Sequence, residues 1–146
     1  MIIKLFEDFN DVNEIVSDVK DMCLELNDMY IRVECHHNPE IKKMDGIRRE
    51  YILFGLEKEL SDDDMESLFS INDEVKWSDI DDVIYRVLDY MKDCGWKPSY
   101  VIVDSESTNI ENRDATEYLK NRFRFGTFGG EISPVFSGLQ IDFVRI

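Results

Sequence analysis

The stretch YIRVECHHNPEIKKMDGIRREYILFGLE, residues 30–57, decides the fold. Its first part alternates, with Ile31, Val33 and Cys35 on one side and Tyr30, Arg32 and Glu34 on the other. A period of two is that of a half-buried strand, predicted here over 30–37. Asn38-Pro39 is expected to interrupt it, because proline has no N–H to give a ladder. Asp45-Gly46 then supplies a hairpin signal, since the favoured two-residue turn needs positive φ at both central positions. The return strand is predicted over 48–57, and its centre, apolar on both faces, suggests a covered interior place.

Amphipathic segments lie on either side. Residues 11–28, DVNEIVSDVKDMCLELND, carry Val12, Ile15, Val16, Val19, Met22, Cys23 and Leu26 at helical spacing, with Asn10 as N-cap. Residues 78–95, SDIDDVIYRVLDYMKDCG, repeat the pattern through Ile80, Val83, Ile84, Val87, Leu88 and Met91. There Ser78 with Asp81 reads as a capping box and Gly95 as the residue just past the helix end. Between them SDDDMESLF, 61–69, reads as a short capped helix.

Further on, SYVIVD (99–104) reads as a strand, DSESTNIENRD (104–114) as a polar connection, and DATEYLKNRF (114–123) as a short helix turning Ala115, Tyr118 and Leu119 inward. Phe123 and Phe125 then alternate with Arg122 and Arg124, and LQIDFVRI puts Leu139, Ile141 and Phe143 on one strand face. The fold class expected is α+β: a two-layer sandwich, mostly antiparallel sheet with two long amphipathic helices on one face, forming a single domain over 1–146. A ferredoxin-like topology is left open.

Composition narrows the function classes. Among 146 residues, 43% are hydrophobic and 12% aromatic, which a chain needs to build a core. The net charge of −15, from 32 acidic against 17 basic residues, disfavours direct nucleic-acid binding and anionic membranes. It favours solubility, and it suits a basic protein partner. No apolar run reaches membrane-spanning length and the start has no signal-peptide pattern, so a cytoplasmic place is expected. Three widely spaced cysteines fit reduced thiols.

Two clusters resemble chemistry. Cys35, His36 and His37 stand together, but on an extended strand Cys35 and His37 share one face while His36 and Glu34 share the other. Cys35 and His37 supply two donors where zinc needs three or four, so one of the chain's many carboxylates would have to complete a site. Residues i and i+2 stand roughly 6–7 Å apart along a strand, too far for a Cys–His nucleophile without a bend such as Pro39 would give. The second is NRFRFGTF, whose Phe123, Phe125 and Phe128 match the aromatic spacing of the RNP1 stretch in RNA-recognition motifs. Asn121, Arg122, Arg124 and Gly126 depart from that pattern, and an ordinary strand with phenylalanines inward is expected instead. No P-loop, nucleophile elbow or metalloprotease motif is present, and no cofactor or metal is expected.

Charged surface is the remaining source of recognition. Candidate partner-binding residues are the acidic rows Asp62, Asp63, Asp64 and Asp79, Asp81, Asp82, together with the basic hairpin group Lys42, Lys43, Arg48 and Arg49. For each acidic row alone, helix capping is the stronger explanation, and basic hairpin tips also guard sheet edges.

The opening MIIKLFEDFN resembles the starts of small accessory proteins of tailed bacteriophages, over about the first ten residues. The resemblance implies a phage accessory protein, in the host cytoplasm or the virion, and supplies no site residue. The reading favoured is a non-enzymatic acidic protein-binding domain acting on a host or virion partner. Its alternatives are a small carboxylate- or metal-dependent hydrolase using the His36/His37 region, and a virion or assembly component that forms homo-oligomers.

Overall fold

A computed structural model describes residues 12–42, 46, 48–59, 74–124 and 135–146. The expected helix over 61–69 with Asp62, Asp63 and Asp64, the opening peptide, Asn10, Lys43, Asp45, Phe125 and Phe128 lie outside the described residues.

The first helix, α1, runs Val12–Met22 and is shorter than the 18-residue pattern suggests. At Cys23 the chain tightens into a 3₁₀ turn, Leu24–Met29, which ends at Tyr30 in the left-handed region with φ 57°. Asn27 and Asp28, which compete locally for backbone hydrogen bonds, favour such an ending over more α-helix. Leu26 is still buried, so the apolar pattern was real although its helix type changes.

Strand β1, Ile31–Lys42, does not stop at Pro39. It pairs antiparallel with β2, Arg48–Lys58, and absorbs the proline as a register shift between Asn38 and Ile41. On this edge strand a missing N–H costs the ladder little. Gly46, at φ 81°, lies in the connection between the two strands.

A two-residue strand β3, Val75–Lys76, leads into α2, Trp77–Asp93. The N-cap is Lys76, which makes no side-chain capping bond, so Ser78 lies inside the helix and not at the cap position expected for it. Gly95 holds the predicted position after the helix, at φ 88°. Strand β4, Trp96–Val103, starts earlier than expected. Its hairpin partner β5, Glu106–Asn109, falls inside the supposed polar connection. Asp104 and Ser105, both at positive φ (49° and 75°), form the two-residue turn that hairpin twist requires.

Helix α3, Ala115–Arg122, is capped by Asp114, whose Oδ1 accepts from the Glu117 N–H at 3.0 Å. The described part of the expected strand, residues 122–124, is not extended: Arg122 ends α3 and Phe123 is its buried C-cap. Strands β6, Val135–Phe136, and β7, Gly138–Arg145, complete the described chain.

The main sheet is antiparallel in the order β1-β2-β7-β4-β5, and β3 pairs with β6 separately. Since β2 and β4 each run antiparallel to the β7 between them, they are parallel to one another and joined through α2. That is one split β-α-β unit; the hairpin strands β1 and β5 extend it at the edges instead of completing a ferredoxin-like order. The coarse expectation, α+β with an antiparallel sheet, holds.

Register decides the core. Cys35, Phe54, Ile141 and Val101 are aligned across four strands and join one apolar cluster with Ile15 and Val19 of α1 and Ile80, Ile84, Val87 and Met91 of α2. Tyr90 Oη donates to Asp18 at 2.5 Å, and Arg86 pairs with Glu25, tying α2 to the α1 segment.

Candidate functional site

Residues one position out of register with the core define the other face. Its rows read Arg32–Glu57–Gly138, then Glu34–Gly55–Gln140–Ile102, then His36–Leu53–Asp142–Tyr100. At one end this face is closed. Arg49 Nη1 reaches Glu111 Oε1 at 2.6 Å, and Tyr51, Asp142 and Val144 are buried. Asp142 Oδ1 accepts from Gln140 Nε2 at 2.6 Å.

The other end is a concavity of about 410 Å³. Gly55 and Gly138, diagonal neighbours on β2 and β7, form its floor because neither projects a side chain. One wall carries Arg32, Glu34 and Glu57; the other carries Ile102, Asp104 and Gln140. Arg32 is the cross-strand partner of Glu57 and hydrogen-bonds it, while its Nε lies 3.7 Å from Glu34 Oε1. Asp104 is held by its backbone neighbours: its Oδ1 accepts from the N–H groups of Ser137 (2.7 Å) and Gly138 (3.0 Å). The positive-φ turn at Asp104-Ser105 is what aims that carboxylate back across β7.

The ECHH residues do not converge. Cys35 is buried in the core face, and burial pushes its thiol up to about 11, away from the thiolate a nucleophile needs. His36 is exposed on the opposite face, 3.7 Å from Glu34. His37 pairs instead with Glu50, Nε2 to Oε2 at 2.7 Å. Arg145 Nε donates to Glu50 Oε1 at 2.5 Å, and the Arg145 guanidinium lies over the Trp96 ring, 4.6 Å from its centroid. The Arg145 hydrogen bond, more than the His37 one, holds the Glu50 carboxyl below its usual range against the opposing effect of burial. Among the described residues no group of three or more His, Cys, Asp or Glu is placed to hold a metal.

The basic hairpin residues are largely spoken for. Arg48 pairs with Glu40 at 3.1 Å and Arg49 with Glu111, leaving Lys42 as an exposed member of the group. Asp79, Asp81 and Asp82 sit in the first turns of α2, where Asp81 Oδ1 accepts from the Asp82 N–H at 2.8 Å. The acidic row therefore suits the helix terminus it occupies.

Sequence reasoning passed over Glu34, Gly55, Glu57, Asp104 and Gly138 as a group. They come from three strands and a turn, and only the pairing register makes them neighbours. Gly55 within an apolar strand was the one local signal, since a strand glycine often marks close approach of another group. No helix among the described residues is long and apolar enough to cross a membrane. No family model, curated protein or solved structure matches the chain.

Proposed function

We propose that this chain is a non-enzymatic, acidic protein-binding domain that docks a basic partner on the open face of its sheet. In this reading α1 and α2 together cover the Phe54 face, and the Gly55 face is left for recognition. The observation that carries it is the carboxylate-walled concavity over Gly55 and Gly138. A net charge of −15 draws a basic partner toward the domain and speeds encounter. With its bacteriophage-type opening peptide, the domain acts as a phage accessory protein on a host or virion protein. The separate placement of Cys35, His36 and His37 argues against the hydrolase alternative.

The test is a tagged pull-down from bacterial lysate at low and moderate salt, with bound proteins identified by mass spectrometry. A stoichiometric basic protein, released at moderate salt, is the expected result. Recovery of the bait alone at both salts would reject this reading and turn attention to self-assembly.

A further inference from the structure

We infer that the groove over Gly55 and Gly138 receives an arginine side chain from an extended basic segment of the partner, gripped by Glu34 and Glu57. Arg32 is then the chain's own guanidinium, filling that grip until the partner arrives. The inference rests on the protein-binding reading above and adds its site and its occupant.

Three observations carry it. First, nothing local demands glycine on the groove floor. Neither Gly55 nor Gly138 has positive φ, and a Cβ at either would stand 3.7 Å from a facing carbonyl oxygen, an ordinary contact. Glycine inside a strand weakens it, so Gly55 in the middle of β2 is explained by the space it leaves, and Gly138, the first residue of β7, widens that space diagonally.

Second, the charge selects the occupant. Among the described residues, Glu34, Glu57 and Asp104 line the groove with Arg32 as the one cation. The set is complementary to a cation and hostile to phosphate or carboxylate. At about 410 Å³ the groove is small among ligand pockets, which run from about 300 to 1,000 Å³, and suits one long side chain with its flanking backbone.

Third, Arg32 shows what the grip accepts. Its guanidinium bonds Glu57 and approaches Glu34 at 3.7 Å, so the two carboxylates are already spaced for a planar, multi-donor cation. The side chains of Arg32, Glu34 and Glu57 are 53%, 55% and 53% exposed, and ion pairs that open to solvent are weak enough to be exchanged. Asp104, pinned by two backbone N–H groups, needs no reordering to meet the incoming charge.

The experiment is a titration of the full chain with an amidated Gly-Arg-Gly-Arg-Gly peptide, read by amide NMR shifts and by fluorescence anisotropy of a labelled copy. The Gly55 and Gly138 amides should shift saturably, and the glutamate counterpart peptide should produce no shift. Glu34→Gln with Glu57→Gln should weaken binding by about ten-fold or more, as should Gly55→Val, while Arg32→Ala should tighten it by a few-fold. Asp79→Asn with Asp82→Asn removes the same two charges on α2 and should change affinity by less than about two-fold. If Gly55→Val does not fold by circular dichroism, Gly138→Ala fills the floor more gently and is read the same way.

Equal losses from the two charge-matched pairs would overturn the inference in favour of diffuse attraction. Loss from the α2 pair alone would overturn it while leaving a basic partner in place. No saturable peptide binding, combined with no basic protein from the lysate, would remove both the inference and the reading beneath it.

Discussion

Trp77, at the start of α2, and Phe123, at the end of α3, stack their rings with centroids 4.3 Å apart and planes 13° from parallel. Phe136 of β6 tilts against Phe123 at 5.3 Å. Three segments distant in sequence meet there, and Phe123 is an interior ring where an RNA-recognition strand would have exposed it. Phe123→Ala should therefore cost about 3–5 kcal/mol of stability, measured from urea unfolding. A loss below about 0.5 kcal/mol would mean a surface ring and would contradict this packing.

Glu50 joins β1 to β7 through His37 and Arg145. Its folded carboxyl titrates below the unfolded value of about 4.3, so its stabilising contribution is whole above that pH and disappears as pH falls through the lower, folded value. Glu50→Gln should lower the melting temperature at neutral pH, and its deficit against the wild type should shrink on acidification below about pH 4. Melting curves that stay parallel from neutral pH to about pH 2 would show that Glu50 contributes nothing through its charge.

The three thiols should separate by reactivity. Burial raises Cys23 to about 12 and Cys35 to about 11, and both are in the core, whereas Cys94 is half-buried. In native protein at neutral pH a thiol-exchange reagent should label Cys94 first and the other two only on unfolding. Rapid native labelling of Cys35, located by peptide mapping, would reopen the nucleophile reading.

Ser105 holds φ 75° in the β4–β5 turn, a region costly for any residue with a Cβ. Ser105→Gly should stabilise the fold by about 0.5–1 kcal/mol, whereas Asp104→Ala should cost about 0.5–1.5 kcal/mol by removing the acceptor that the Ser137 and Gly138 N–H groups share. If chemical denaturation shows the two changes to be equal, the turn is not the strained, anchored device described.

Much of the architecture could be read along the chain. The alternation at Ile31, Val33 and Cys35, the stripe from Ile80 to Met91 and Gly95 as a stop all depend on neighbours within a few residues. Such features are local, so periodicity and capping chemistry reveal them. The failures share the opposite cause. Proline at 39 fits because β1 is an edge, Ser78 falls inside α2 because the helix begins at Trp77, and Arg122 and Phe123 are not in a strand because Phe123 is packed against Trp77.

The candidate site lies wholly on that second side. Glu34, Gly55, Glu57, Asp104 and Gly138 are ordinary residues of ordinary strands and a turn when taken singly. By itself the sequence determined an acidic α+β chain with two apolar helix stripes and left the Cys–His cluster open, which the structure then spread over separate surroundings. Tertiary structure alone decided that β7 lies between β2 and β4, because strand order is set by which apolar faces can be buried together. That order brings two glycines together between facing carboxylates, and long-range pairing of this kind leaves no mark at short sequence separation.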